Sequence, residues 1–332
     1  MTGAPSIPVR SWIVVASTAL ALLFLAAPEA CAQPFPTRPV KVVVPFSPGG
    51  AVDGPMRVIA QELFRDIGGQ VVIENKPGAG ATIGADFVAK SPPDGYTLLL
   101  ASQTIAISAT LYPKLPFDPI ADFVPITLIG REPGVVVVNP ALPVTTLQEL
   151  VAYAKERPGE LDYASSGNGS GQHLFAALLA AMTGMKLNHV PYRGSAPAMQ
   201  DLVADQIDVL FGNVDQLSLT RAGSIKAYAV TSDTRSAAAP DIPTFREMGL
   251  PALSYPIWVG LFAPKGTPKA IIDKLNTAVV EALADAAVRS RADLLPEIAP
   301  RERQTPEALG ALQKADAEKW WPIIKELGIK AE

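Results

Sequence analysis

Two stretches rich in glycine and small polar residues carry the residue types best suited to bind a charged small molecule. The first follows a β-branched run and reads PFSPGGAVD over residues 45–53. The second reads SSGNGS over residues 165–170 and precedes an apolar-periodic segment. Glycine lets a ligand approach the backbone closely, and the unpartnered N–H groups and dipole of a helix N-terminus favour an anion. Each stretch therefore predicts a strand, a loop and a helix N-terminus that together hold a carboxylate or phosphate.

Polar residues at neighbouring strand ends extend this candidate site. Asp53 is predicted either to cap its helix or to be the counter-charge of a ligand amino group. Arg193 either forms a bidentate pair with a distal carboxylate or lies on the surface, and His173 either contacts the ligand or orients the loop. The predicted ligand-binding residues are Phe46, Ser47, Gly49, Gly50, Asp53, Ser102, Thr104, Ser165, Ser166, Gly167, Asn168, Gly169, Ser170, His173, Tyr192, Arg193, Asn213 and Asp215.

A hydrolase is the alternative suggested by Ser170, His173 and an aspartate, and the spacing argues against it. A nucleophile elbow requires Gly-x-Ser-x-Gly, but Asn168 lies two residues before Ser170 and Gln172 two after it. Ser170 and His173 are also too close along one helix start for a serine and its base. The dinucleotide fingerprint fails because Gln172 occupies the place of its third glycine. The sequence therefore predicts a binding protein that is not an enzyme and has no cofactor.

The first 32 residues have the pattern of a cleavable signal peptide. The apolar run at residues 13–27 is too short to span a membrane comfortably, and small residues at 30 and 32 suit cleavage before Gln33. Lipoprotein processing at Cys31 is the alternative, although Pro28 stands where an aliphatic residue is expected. We expect a periplasmic protein.

Composition narrows the function further. The chain has 332 residues, enough for two domains of about 150 residues, and a formal net charge of -4. Its only cysteine, Cys31, leaves with the signal peptide, and two histidines remain, His173 and His189, so no metal site is expected. No basic stripe is present, so nucleic acid is not an expected partner. We expect a monomer.

Strand and helix patterns alternate along most of the chain. A β-α-β-α-β run over residues 40–101 predicts a parallel sheet with ligands at the carboxyl ends of its strands. A second alternating run follows from residue 161, and the apolar segments at 134–138 and 258–263 are predicted to cross between two lobes. Residues 33–134 would then begin the first lobe, 135–255 form the second, and 256–332 return to the first.

Six segments together resemble a known family, the periplasmic substrate-binding proteins of tripartite tricarboxylate transporters, often called Bug proteins. The segments are residues 45–50 with Asp53 and Arg57, 74–80, 93–98, 166–173, 190–194 and 320–330. The resemblance spans residues 35–332. The sequence departs from the usual family pattern in two places. Residues 54–56 separate Asp53 from Arg57, and the stretch 102–107 is unusually apolar.

The resemblance implies a two-lobed α/β fold of the periplasmic-binding-protein type, each lobe a mainly parallel sheet flanked by helices, with the ligand in the cleft between them. It implies that one loop from each lobe holds a ligand carboxylate through backbone N–H groups, hydroxyls and ordered water. The implied ligand is a di- or tricarboxylate, an aromatic acid or an acidic amino acid. The implied partners are the membrane components of a transporter; a sensor protein that receives the bound ligand is the alternative.

Overall fold

The computed structural model describes residues 35–50, 52–112, 114–214, 217–236, 239–290, 297–326 and 328–329. The predicted signal peptide with Cys31, and the candidate Asp215, lie outside these residues. Every feature below belongs to one compact unit that begins at Arg38. In the described part of the chain, no helix is long and apolar enough to cross a membrane. In the same part, no group of three or more histidine, cysteine, aspartate and glutamate side chains is placed to hold a metal ion.

The described strands form two sheets, one in each lobe. The first sheet has six strands in the order β11-β4-β10-β3-β1-β2, and the second has five in the order β7-β6-β8-β5-β9. The strands are β1 Val40–Val44, β2 Val71–Asn75, β3 Thr97–Ser102, β4 Phe123–Glu132, β5 Gly134–Val138, β6 Asp162–Ser165, β7 Asn188–Pro191, β8 Val209–Asn213, β9 Lys226–Val230, β10 Ile257–Pro264 and β11 Glu297–Ile298.

Ten described α-helices accompany the sheets. They are α1 Asp53–Ile67, α2 Thr82–Ala89, α3 Gln103–Leu111, α4 Leu147–Glu156, α5 Gly171–Thr183, α6 Ser195–Val203, α7 Leu217–Arg221, α8 Lys269–Ala284, α9 Ala286–Arg289 and α10 Pro306–Glu326. Helix α3 has no counterpart in the sequence prediction. Almost all of its residues are buried, so it lacks the one-sided apolar periodicity that marks a surface helix.

The two-lobed α/β fold class is confirmed, but the sheets are mixed rather than mainly parallel. Strand β1 runs parallel to β2 and β3, and β6 runs parallel to β7 and β8. The strands that enter each lobe from the other one, β5 and β10, are antiparallel to both of their neighbours. These strands arrive without the right-handed helical crossover that makes successive strands parallel, so nothing imposes that direction on them.

The chain passes from β4 to β5 over Pro133 alone and returns between β9 and β10. Each lobe has its own apolar core: Trp258 and Phe262 lie in that of the first lobe, and Phe211 and Phe245 in one of the second. A further cluster joins Leu111 of α3 and Trp320 of α10 to Leu174 of α5, so the lobes also share apolar contact. Lobe boundaries after residues 134 and 255 remain our proposal.

Candidate functional site

A cavity of about 440 Å³, here called the cleft cavity, lies between the lobes. It sits at the carboxyl ends of β1, β3, β4 and β8, where an open α/β sheet presents its loops and helix N-termini. The first lobe lines it with Phe46, Gly50, Val52, Ser102, Thr104, Glu132 and Ile257, and the second with Ser166, Gly171, Gln172, Ser195 and Asn213.

Four helix N-termini converge on this cavity. Val52 precedes α1, Ser102 precedes α3, Gly171 is the first residue of α5 and Ser195 the first of α6, and all four line the wall. The residues before α1 and α6 make no side-chain hydrogen bond that caps the helix, although the N–H groups of Asp53 and Gly54 in α1 donate to the Gly50 carbonyl at 3.0 and 3.2 Å. Because helix N-termini carry N–H groups without intrahelical partners and the positive end of the helix dipole, the cavity is suited to an anion.

Short hydrogen-bond chains orient the polar side chains around the cavity. The Oγ of Ser102 donates to Thr104 Oγ1 at 3.0 Å and accepts from the Thr104 N–H at 3.4 Å. In the second lobe the Ser166 N–H donates to Gln172 Oε1 at 2.7 Å, and Gln172 Nε2 lies 3.4 Å from Asn213 Oδ1. These bonds hold hydroxyl and amide groups from both lobes around one small volume.

The first loop, residues 45–52, is held by an ion pair behind the cavity. Asp53 accepts hydrogen bonds from Arg57 Nε at 2.8 Å, Arg57 Nη2 at 3.0 Å, Asn75 Nδ2 at 2.8 Å and the Gly49 N–H at 2.9 Å. Burial acts to raise the pKa of Asp53, but the hydrogen bonds from Arg57, Gly49 and Asn75 outweigh it and hold the pKa below its ordinary value. Asp53 thus supports the first loop and is not among the residues that line the cavity; its function as a ligand counter-charge stays a prediction.

The second loop, residues 166–170, is held by two neutral histidines. The His173 and His189 rings stack with centroids 4.1 Å apart. His173 Nδ1 accepts from the Gly169 N–H at 3.0 Å, and His189 Nε2 lies 2.7 Å from Ser165 Oγ. Burial lowers the pKa of His173 to about 4, while burial and then the charge of His173 lower that of His189 to about 3. His173 orients the loop and does not line the cavity.

Several contacts bring the two lobes together across the cleft. The N–H and Oγ of Ser47 donate to the Arg193 carbonyl at 3.2 and 2.7 Å. The Tyr112 hydroxyl donates to the Asn168 carbonyl at 3.2 Å. Gly80 packs against the same carbonyl so tightly that a Cβ there would lie 2.0 Å from the Asn168 oxygen. Each loop is therefore braced by the opposite lobe.

A wider opening of about 880 Å³ is bordered by residues of these contacts and is lined by other predicted residues. Gly167, Asn168, Tyr192 and Arg193 line it. The Tyr192 hydroxyl donates to Asp201 at 2.6 Å, and the Arg193 side chain is exposed. Arg193 therefore contacts the opposite lobe through its backbone carbonyl rather than its side chain.

The structure brings six of the predicted residues together in the cleft cavity: Phe46, Gly50, Ser102, Thr104, Ser166 and Asn213. Ser165 and Ser170 are buried supports, since Ser170 Oγ accepts from the His173 N–H at 3.2 Å and Ser165 Oγ from the Gly167 N–H at 3.1 Å. Sequence reasoning missed Val52, Glu132, Gly171, Gln172, Ser195 and Ile257. The predicted helix starts at Ser195 and after Ser170 could have indicated Ser195, Gly171 and Gln172. Glu132 and Ile257 lie in strands without any motif, so no signal in the sequence indicated them.

Comparison with known proteins agrees with this architecture. A family model described as the tripartite tricarboxylate transporter family receptor matches residues 56–329. The chain belongs to this family. Its members are periplasmic solute-binding proteins, not enzymes.

Individual relatives cover nearly the whole chain. Protein BugT of Bordetella pertussis is 38% identical over 312 residues, 92% of this chain and 94% of BugT. The structure of the periplasmic binding protein BugD is 36% identical, with a TM-score of 0.86 over 90% of this chain and 100% of BugD. MatC of Rhodopseudomonas palustris, solved with bound malate, is 36% identical, with a TM-score of 0.84 over 87% of this chain and 100% of MatC.

Proposed function

We propose that this protein captures a small carboxylate in the cleft cavity and delivers it to the membrane components of a tripartite tricarboxylate-type transporter. The observation that carries the proposal is the convergence of four helix N-termini on the cavity. None of the described residues in its wall is a lysine or arginine, so backbone N–H groups and hydroxyls supply the attraction for the anion. Each helix N-terminus contributes about 0.3–1 kcal/mol to binding a negative charge, and more where water is excluded.

Two of these helices belong to each lobe, α1 and α3 to the first and α5 and α6 to the second. A ligand favours the closed arrangement only if it makes contacts there that the open form lacks. A carboxylate placed between the four N-termini meets that condition because it touches donors of both lobes at once. The transporter as the destination and the periplasm as the location rest on family membership.

Glu132 restricts which carboxylate fits. It is 3% exposed, lines the cleft cavity and pairs with Ile257 in the neighbouring strand. A buried carboxyl group offers oxygen acceptors to the cavity, so a ligand group that donates a hydrogen bond fits beside it better than a second carboxylate. The part of the ligand that faces Glu132 is therefore a hydrogen-bond donor such as a hydroxyl or an ammonium group.

A thermal-shift screen of the mature protein, residues 33–332, tests the proposal. The panel pairs each acid with its uncharged methyl ester: plain dicarboxylic acids, hydroxy-dicarboxylic acids such as malate, and acidic amino acids. An acid at about 100 times its dissociation constant should stabilise the protein by about 2.7 kcal/mol, and its ester should not. Stabilisation by esters or sugars with none by any acid would contradict the carboxylate site.

The substitution Glu132→Gln then tests whether Glu132 selects among carboxylates. It should strengthen binding of plain dicarboxylates about tenfold and weaken binding of hydroxy- or amino-acids by a similar factor. Glu160→Gln makes the same exchange at an exposed position that does not line the cavity and is the matched control. Equal effects of the two substitutions in calorimetry would show that Glu132 acts only through net charge.

A further inference from the structure

A second cavity of about 350 Å³, here called the inner cavity, adjoins the cleft cavity. Its lining residues are Gln103, Gly134, Val135, Gly171, Gln172, Phe175, Phe211, Gly212, Thr231, Tyr255, Ile257 and Trp320. The two cavities share Gly171, Gln172 and Ile257. The inner cavity lies near the points where the chain crosses between lobes, since Gly134 opens β5 and Ile257 opens β10.

The wall of the inner cavity is mostly apolar and aromatic. Phe175 and Phe211 lie with ring centroids 5.5 Å apart, and the Tyr255 and Trp320 rings meet edge to face at 5.2 Å. The Tyr255 hydroxyl donates to Asp316, so Tyr255 offers its ring to the cavity. The described lining includes no charged side chain. Such a wall suits an apolar body and gives no support to a second carboxylate.

Two polar side-chain atoms in this wall lack a hydrogen-bond partner, Gln103 Oε1 and Trp320 Nε1. Gln103 is 2% exposed, and its Oε1 is buried without a hydrogen bond. A buried acceptor left unsatisfied costs free energy, so such an atom at a cavity points to a group that arrives from outside the chain. The missing partner of Gln103 Oε1 is a hydrogen-bond donor, because a carboxamide oxygen only accepts.

Gln103 also lies at the junction of the two cavities. It directly follows Ser102, and Ser102 and Thr104 both line the cleft cavity. A Cβ built on Gly171 would lie 2.7 Å from Gln103 Nε2 and 3.1 Å from Ile257 Cδ1. Any side chain at position 171 would therefore narrow the connection, and glycine keeps it as wide as the backbone permits.

We propose that the inner cavity is a second compartment of the ligand site. It takes the apolar body of an aryl or longer alkyl carboxylate that carries a hydroxyl or N–H donor for Gln103 Oε1, while the carboxylate lies at the helix N-termini. This inference rests on the proposed function and extends it from a carboxylate in general to a two-part ligand.

Calorimetry with three probes tests the compartment: succinate, phenylacetate and 4-hydroxyphenylacetate. The wild-type protein should bind 4-hydroxyphenylacetate at least tenfold more tightly than phenylacetate, because only the former donates to Gln103. Gln103→Leu removes the unsatisfied acceptor and should abolish that difference. The melting temperature of the ligand-free variant should stay equal or rise, whereas a merely structural glutamine would lower it.

A second variant fills the compartment directly. Val135 lines the inner cavity, whereas Val137, two residues further along β5, is equally buried in the second lobe and lines neither cavity. Val135→Phe should weaken both aryl acids at least tenfold and leave any binding of succinate unchanged. Val137→Leu is the control for overpacking the same face of the strand.

The outcomes separate this inference from the proposed function. Carboxylate binding that is indifferent to both Gln103→Leu and Val135→Phe would overturn the inner compartment, which would then hold only water, while the cleft site stands. If none of the three probes bound and no acid stabilised the protein in the thermal-shift screen, both the inner compartment and the proposed carboxylate site would be overturned. Loss of the aryl acids alone in Val135→Phe, with the hydroxyl preference lost in Gln103→Leu, supports the inference.

Discussion

The two glycine-rich loops at the cleft are held by opposite kinds of support. The loop at residues 45–52 is held by the charged Asp53 and Arg57, whereas the loop at residues 166–170 is held by the stacked, neutral His173 and His189. In both cases the supporting groups lie behind the cavity and accept from loop N–H groups, Gly49 in one lobe and Gly169 in the other.

Solvent access accounts for the difference. The Arg57 side chain is 48% exposed, so its charge keeps most of its hydration while it pairs with buried Asp53. His173 is 7% exposed and its partners are a backbone N–H and another ring. A charge in that position would be desolvated without an opposite charge, so the neutral imidazole is the stable form. The same loop function thus responds differently to pH in the two lobes.

The largest expected effect is an acid-induced loss of stability from the second lobe. His173 and His189 titrate at about 6.5 when unfolded but near 4 and 3 when folded, so the unfolded state binds more protons between these values. The contribution of the two neutral histidines to the free energy of unfolding is complete above pH 6.5 and is lost as the pH falls. By pH 4 the loss is about 3 kcal/mol per histidine. Urea unfolding of the ligand-free protein at pH 7, 6, 5 and 4 measures it.

The double substitution His173→Asn and His189→Gln is the control for this prediction, since the amides retain hydrogen-bonding atoms but do not titrate. The unfolding free energy of this variant should change little between pH 6.5 and 4. The pKa of Asp53 is lowered in the fold, so its contribution is present above the unfolded value of 3.8 and is lost only below it. If the unfolding free energy of the wild-type protein did not change between pH 6.5 and 4, the two histidines would not support the second loop as neutral groups.

The next effect concerns how the first lobe braces the second loop. Gly80 has φ of 57° and would place a Cβ 2.0 Å from the Asn168 carbonyl oxygen, so Gly80→Ala should block closure. We expect a 10- to 100-fold loss of ligand affinity, about 1.4–2.8 kcal/mol, and no ligand-induced compaction in small-angle X-ray scattering.

Gly78 is the matched control because it also has a positive φ, 124°, but its Cβ would meet only the flexible end of Ile83 in its own lobe. Gly78→Ala should lower stability through backbone strain and leave ligand affinity near that of the wild type. Normal compaction and affinity in Gly80→Ala would mean that the second loop closes without this contact.

The smallest effect separates two serines of the second loop. Ser170 caps α5 through the His173 N–H, so Ser170→Ala should cost about 1 kcal/mol of stability with little change in affinity. Ser166 lines the cavity, so Ser166→Ala should weaken ligand binding with little change in stability. Thr146→Ala, which removes the cap of the remote α4, is the control for a capping loss alone. The reverse pattern for the two serines would exchange their assigned functions.

The amino-acid sequence determined the local units and the order in which they occur. The β-branched run before Pro45, the glycines that follow it and the apolar periodicity of α1 are short-range signals, and each predicted its element. The same holds for the second loop with Ser166 and for the candidates Ser102 and Asn213, which end strands β3 and β8; Thr104 lies in α3, a helix that the sequence did not predict. Six ordered segments were enough to identify the family because its motifs are local as well.

The tertiary structure alone decided which acidic residue lines the cleft cavity and which cavity adjoins it. Asp53 lies next to a glycine-rich loop in sequence but turns to Arg57 and Asn75, whereas Glu132, at the end of a strand with no motif, lines the cavity. The stacking of His173 on His189 and the placement of Gln103 against Gly171 join elements that are distant along the chain. Local patterns cannot encode such contacts, because burial and hydrogen-bond partners are set by which lobes and helices pack together.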